Sequence, residues 1–206
     1  MTIAVTDRSL DDVLRRLAVL PVANVGDAME RLHVCDSGIQ AAWPGARVCG
    51  PAFTVLTRPG DNAFVHAALP EITPGDVLVV AGGGDTSRAL IGEILAGRAA
   101  VAGVAGFVID GAIRDAAAIQ EFGMPVFAKA VSPAGPYKNG PGALQVPVAI
   151  GGVVVRPGDI VIGDSDGVAV VARERAEEIV TAAEAIQANE VGKLADIGAD
   201  LARRAG

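Results

Sequence analysis

Aromatic side chains make up only 3% of the 206 residues. The core must therefore be built from Val, Ile, Leu and Ala, and no stacking platform for single-stranded nucleic acid is expected. Positive charge is also scarce. Lys and Arg total 17 against 24 Asp and Glu, which leaves a net charge of -7. Without a Lys/Arg block, such a chain is a poor partner for a phosphate backbone. The lysines are Lys129, Lys138 and Lys193. Cysteine is nearly absent. Cys35 and Cys49 are too few for a disulfide framework and lack zinc-site spacing, so reduced thiols in a cytoplasmic protein are expected. No apolar run reaches the roughly 18–20 residues of a membrane span. Residues 89–109 come closest, but Glu93, Arg98 and several glycines interrupt them. The opening MTIAVTDRSLDD has neither a basic nor an apolar signal region, so no export signal is expected.

What remains is a chain with 51% hydrophobic residues, 26 Gly and 12 Pro. It can bury a sizeable core as one domain over 1–206, made of short elements and many turns. Residues 9–20 carry apolar side chains at helical spacing, with Ser9 as a cap and Pro21 as the stop. A second helix is expected over 22–32, with Asn24 or Asp27 near its start. Asp27 could be a cap or a carboxylate turned toward a site. Residues 47–57 are β-rich, and 61–69 read as a short helix carrying His66, expected at a surface or interface rather than as a ligand. VLVVA at 77–81 is a strand buried on both faces. The glycines at 82–84 follow it as a loop. That loop is neither a Walker loop nor a dinucleotide fingerprint. Residues 88–102 have helix composition. If 92–95 lie at a helix N-terminus, their free N–H groups make an anion site beside Glu93. Alternatively, Glu93 simply favours the helix dipole.

Residues 104–115, VAGFVIDGAIRD, read as a strand, a break at Asp110-Gly111, and a charged pair just before an Ala-rich helix. Arg114 and Asp115 then fall at the carboxyl end of a strand, where α/β folds bind ligands. The Arg suits a carboxylate or a developing oxyanion, and the Asp suits a metal or a helix cap. MPVFA at 124–128 adds another strand, so two strand–loop–helix units imply a parallel sheet. Residues 132–142 are a Gly/Pro-rich loop with the lone tyrosine, Tyr137. Short β runs over 146–171 form a meander and a second sheet layer. An amphipathic helix over 173–189 precedes a helical tail over 190–204, whose partner face suits another subunit.

Four segments in fixed order carry a resemblance: GDVLVVAGGGDTSRALIGEIL, GFVIDGAIRDAAAI, VSPAGPYKNGPG and RPGDIVIGDSDGVAVV. The chain resembles the RraA-like family, and within it the class II pyruvate aldolases that act on 4-hydroxy-4-methyl-2-oxoglutarate. The resemblance implies an α/β fold of the swivelling-domain type, a layered α-β-β-α sandwich. Helices over 9–33, a core over 47–171 and C-terminal helices over 173–204 would compose it. It also implies trimers or hexamers with sites between subunits. The backbone of Gly92, Glu93, Ile94 and Leu95 would receive the pyruvyl carboxylate, and Arg114 the enolate oxygen. Asp115 would hold Mg²⁺ or Mn²⁺, Glu93 would order waters, and Asp27 and Glu190 would be carboxylates that reach a neighbour's site. The substrate implied is a small 2-oxo acid, cleaved to pyruvate, with oxaloacetate decarboxylase activity; no nucleic acid or membrane partner is implied. The family offers one alternative. RraA-type members inhibit ribonuclease E without catalysis, and they share the Arg-Asp step. A methyltransferase label borne by some similar sequences lacks its feature here, a glycine loop followed by an acidic residue in a nucleoside-binding unit.

Overall fold

A computed structural model describes residues 7–205. The export-signal expectation concerns the opening segment, of which 1–6 lie outside the described residues. In chain order the elements are α1 (Asp7–Val19), α2 (Val22–Ala28), β1 (Gln40–Ala41), β2 (Val48–Thr57), α3 (Ala63–Ala68), β3 (Val77–Ile91) and α4 (Glu93–Val101). Then come β4 (Gly106–Ile113), α5 (Ala116–Glu121), β5 (Val126–Val131), β6 (Gly142–Leu144), β7 (Val148–Ile150) and β8 (Val153–Val155). The chain ends with β9 (Ile160–Asp164), β10 (Gly167–Val171) and α6 (Ala176–Ala205).

β2, β3, β4 and β5 pair in parallel, as the strand–loop–helix rhythm implied. Because strand side chains alternate between faces, each strand serves two cores. Leu78, Val80, Phe107 and Ile109 meet Val65 of α3, Leu95 and Ala99 of α4 and Ile119 of α5. Val77, Val79, Val108 and Phe127 face the other way, onto Val153, Val155, Val161, Val168 and Val170. The next residues of β9 and β10 reverse the pattern. Ile160, Ile162, Ala169 and Val171 pack on Leu17 of α1, Val25 of α2 and Ile179 and Val180 of α6. Three cores separate four layers, so the α-β-β-α sandwich follows from strand periodicity. The second β layer is not a detached sheet. β2 pairs with β9 through Val48–Pro51 and with β3 through Ala52–Leu56, which makes one hydrogen-bonded path through both layers.

Several local expectations change. Residues 88–91 are strand rather than helix, because Ala89 and Ile91 are buried and pair with Ala112 and Ile113 of β4. Non-local pairing here overrides a helix-favouring composition. The glycines at 82–84 lie within that strand, which shifts register against β4 after Ala81; Gly83 and Gly84 take φ values of 67 and 71. Asp110-Gly111 is not a turn either. Both residues are buried inside β4, and Asp110 pairs with Lys129 at 2.8 Å. α2 stops at Ala28, so Asp27 lies in its last turn and caps nothing at its start, while Pro21 occupies the N-cap. Ser9 falls inside α1 rather than before it. The two C-terminal helices are one continuous helix of 30 residues. Arg16 of α1 ties it down, through Glu177 and Glu184 at 2.7 Å each. No described helix is long and apolar enough to cross a membrane.

Candidate active site

Arg114 is the first residue after β4, and its N–H donates to the Ile91 carbonyl at 3.0 Å. That bond ties the end of β4 to the end of β3, so Gly92 and Arg114 are neighbours although 22 positions apart. The fit is close. A Cβ at Gly92 would lie 2.5 Å from Asp115 Oδ2 and 2.9 Å from Arg114 Cγ and Nε. The backbone of Gly92 is extended, so the requirement there is for space rather than for an unusual φ.

Asp115 occupies the N-cap position of α5, with φ 57 and ψ 34, in the left-handed region. Non-glycine residues rarely sit there, and Asp is among those that tolerate it. It makes no side-chain bond to α5. Instead its Oδ2 accepts the N–H of Glu93 at 3.2 Å, which is the first residue of α4. The carboxylate therefore caps the helix across the cleft, and Arg114 Nε lies 3.4 Å from the same oxygen. The expectation that residues 92–95 open a helix is met, since Gly92 is the N-cap of α4. The Ala96 N–H already donates to the Gly92 carbonyl at 3.0 Å. With the Glu93 N–H engaged by Asp115, the first-turn donors left to a ligand are those of Gly92, Ile94 and Leu95. The side chains of Glu93 and Ile94 are exposed.

A pocket of about 260 Å³ lies against this helix start, lined by Gly92, Ile94, Leu95 and Arg114. Asn62, His66, Arg98 and Lys138 line it too. His66 is thus a pocket residue, not a bystander. Burial lowers its pKa, and the nearby Lys138 and Arg98 lower it further. Composition gave no reason to group these four, since they come from α3, α4 and the loop over 132–142. The one available signal was the spacing of Asn62 and His66, four apart on a helix.

That loop is pinned by Asp61, which is fully buried. Its Oδ1 accepts the Ala63 N–H at 2.9 Å, and its Oδ2 accepts those of Asn139 at 2.8 Å and Gly140 at 3.0 Å. Burial alone would raise the Asp61 pKa. The three N–H groups and the Arg58 guanidinium outweigh it and hold the carboxyl below its ordinary range. Tyr137 in the same loop lies beneath the guanidinium groups of Arg88, 4.3 Å from the ring centre, and Arg58, 5.4 Å away.

The predicted carboxylates do not all converge. Asp27 pairs with Arg31 at 3.2 Å, and Glu190 accepts a hydrogen bond from Asn24 at 2.8 Å. Both belong to the helical layer on the far side of the sandwich from Arg114. Among the described residues no group of three or more His, Cys, Asp or Glu is arranged to hold a metal.

The RraA-like family profile (Aldolase/RraA) matches residues 22–170. The chain belongs to the RraA-like family. A Halalkalibacterium halodurans protein, whose name assigns it provisionally to 4-hydroxy-4-methyl-2-oxoglutarate aldolase, is 38% identical over 179 residues, 87% of this chain and 85% of the relative. Streptomyces coelicolor RraAS2, described as an unusual member of the RNase ES inhibitor RraA family, superposes with a TM-score of 0.79 at 35% identity, covering 88% of this chain and 96% of that one. A Geobacillus kaustophilus protein described as an S-adenosylmethionine:2-dimethylmenaquinone methyltransferase gives 0.69 at 38% identity, over 74% and 95%. The RraA-like chain thus has relatives under an enzyme name and under an inhibitor name.

Proposed function

We propose that this RraA-like chain is a divalent-metal-dependent carbon–carbon lyase. It cleaves 4-hydroxy-2-oxo acids of the 4-hydroxy-4-methyl-2-oxoglutarate type to pyruvate and decarboxylates oxaloacetate. One observation carries the reading: Arg114 and the open first turn of α4 border one small pocket, with Asp115 between them. The name of the Halalkalibacterium relative supports it.

Both reactions must stabilise the enolate of pyruvate. The 2-oxo carboxylate binds the N–H groups of Gly92, Ile94 and Leu95, where the helix dipole favours an anion. Arg114 holds the adjacent oxo oxygen, on which charge grows as the C3–C4 bond breaks. In cleavage the C4 hydroxyl gives up its proton to a water held by Glu93, and the bond electrons move onto the pyruvyl oxygen. The C4 oxygen becomes the carbonyl of the departing fragment, the same water returns its proton to C3 of the enolate, and pyruvate leaves beside that carbonyl product. In decarboxylation the same enolate forms as CO₂ departs. Asp115 suits Mg²⁺ or Mn²⁺, because such ions keep several waters and need only one or two protein carboxylates. Bound there, the ion would supply Lewis-acid stabilisation of the enolate charge. Covalent catalysis by Lys129 is disfavoured, since its hydrogen bond with Asp110 raises its pKa and keeps it charged.

The working form is a homo-oligomer, trimer or hexamer, with Asp27 and Glu190 serving a neighbour's site. Its support is the outward row Val191, Leu194, Ile197 and Leu201 on α6, each more than half exposed. Such a row is costly to leave in water.

The test is pyruvate release from oxaloacetate and from 4-hydroxy-2-oxo acids, with Mg²⁺ or Mn²⁺ against EDTA. Metal-dependent pyruvate supports the reading, and Asp115→Ala should abolish the metal dependence. Background rates on every substrate would sink it. The likeness to RraAS2 favours a second reading, ribonuclease E binding without catalysis. Capture of ribonuclease E by a chain that releases no pyruvate would support that one.

A further inference from the structure

α6 comes free of the body of the protein part-way along its length. Ile179, Val180 and Ala183 are buried against α1 and α2, whereas every residue from 188 to 204 is exposed. Arg16 holds the buried part through Glu177 and Glu184. One hydrogen bond follows, where the helix comes free: Asn24 Nδ2 donates to Glu190 Oε2 at 2.8 Å. Among the described residues no hydrogen bond or ion pair beyond it joins α6 to the rest of the chain.

Asn24 is itself held firmly. It is 4% exposed, although α2 is a helix of only 7 residues. So short a helix is not stable alone, and its N-cap, Pro21, makes no side-chain capping bond. Asp164 at the end of β9 supplies one. Its Oδ2 accepts the Val22 N–H at 3.0 Å, while its Oδ1 accepts that of Asp166 at 2.9 Å. The Arg47 guanidinium donates to the carbonyls of Ala18 at 3.2 Å and Leu20 at 2.9 Å, which fixes the chain just before α2. The place of Asn24 is thus set from the sheet and not from α6.

An amide is a distinctive partner for a carboxylate. A Lys or Arg would orient Glu190 and also offset its charge. The amide N–H orients it and leaves the charge in place. Asp27 stands one turn on from Asn24, on the same side of α2, and it is paired with Arg31 at 3.2 Å. Glu190 has no ion pair among the described residues, and only its Oε2 is engaged. Its Oε1 is therefore open to a water or to a group from outside the chain. Burying the Asn24 amide is unfavourable unless it is bonded, which favours the held arrangement over a loose one.

We propose that Asn24 is the positioning residue for Glu190. It fixes the carboxylate where α6 comes free, so that the exposed half of the helix carries a preset group into a neighbouring copy's site. This rests on the reading that Glu190 serves a neighbour, while the tether itself does not. A group ordered before association has less freedom to lose on assembly.

The experiment uses the full chain with Mg²⁺ and oxaloacetate. In Asn24→Ala, kcat for pyruvate release should fall about tenfold with KM within about twofold, because the 2-oxo carboxylate binds elsewhere. Asn24→Asp keeps the size but, when ionised, has no side-chain donor and repels Glu190. Its kcat should fall at least as far, whereas a space-filling role would leave it at the wild-type value. If Asn24→Ala does not fold, Asn24→Asp takes its place. In a Glu190→Ala background, Asn24→Ala should change kcat by less than about twofold, because a residue that acts through another does nothing once that one is gone. Wild-type kcat in Asn24→Asp overturns the proposal, as does an equal fall with and without Glu190. Wild-type kcat in Glu190→Ala overturns both the proposal and the use of Glu190 by a neighbour. A wild type that releases no pyruvate overturns the lyase reading, and hydrogen exchange then decides on Asn24. Amides over 188–204 that exchange about fivefold faster in Asn24→Ala keep the tether, and unchanged exchange overturns it.

Discussion

The two outer helical layers of the sandwich differ in the charge they gather. On one, the pocket beside α4 gathers Arg98, Arg114, Lys138 and His66. On the other, the crease beside α2 gathers Asp27, Asp166 and a single arginine, Arg31, with Glu190 nearby on α6. The first is cationic, with a helix N-terminus left open. The second holds carboxylates close to the exposed apolar row of α6. Two β layers separate them, so one copy of the chain cannot bring its own Asp27 to its own Arg114. An RraA-like chain that uses both must place them together by association.

Breaking the cationic half should have the largest effect. On the lyase reading Arg114 holds the enolate oxygen, so in Arg114→Ala pyruvate release should fall about 10²- to 10³-fold, some 3–4 kcal/mol of barrier. Steady-state kinetics on oxaloacetate with Mg²⁺ measures it, with the thermal midpoint unchanged as the control. Next comes the strut of that half. Asp61→Ala leaves three backbone N–H groups unpaired and should cost about 3–5 kcal/mol in chemical denaturation. Because the folded Asp61 pKa lies below its ordinary value, its contribution is complete above about pH 4 and is lost as pH falls through the folded value. The variant should therefore show a shallower acid limb than the wild type.

Gly92→Ala sharpens the comparison at smaller cost. The new methyl group meets Asp115 Oδ2 and the Arg114 stem, and these must move. Activity should drop about tenfold or more while stability falls by about 1–2 kcal/mol, read from kinetics and melting side by side. Leu194→Glu acts on the other half. It should lower the assembly state in light scattering and leave the monomer's stability within about 0.5 kcal/mol, because Leu194 is 65% exposed. An unchanged assembly would remove α6 from the interface.

Much of this site was legible one strand at a time. The apolar run before Arg114, the helix-forming residues after Asp115 and the glycine before Glu93 each point to a local structure through periodicity or propensity. Errors arose where a distant partner decided. Residues 88–91 suit a helix until β4 offers them a ladder, and Asp115 suits a cap on α5 until α4 presents a nearer N–H. Cys35 and Cys49, read as reduced thiols, are indeed unpaired, and burial pushes both up to about 12, so they stay protonated near neutral pH.

The sequence by itself determined a parallel α/β core followed by a β-meander, because strand–loop–helix units and then short β runs follow one another along it; the four-layer sandwich was legible only through the family resemblance. It also determined the family, through four ordered motifs, and the Arg-Asp step at a strand end. Only the tertiary structure decided that Asp115 caps α4, that Asn62, His66, Arg98 and Lys138 share a pocket with Arg114, and that Asp27 and Glu190 lie on the opposite helical layer from the Arg114 of their own copy. Periodicity and propensity are local and can be read along the chain. The meeting of side chains tens of residues apart is set by which strands pair and which faces pack, and those are properties of the folded whole.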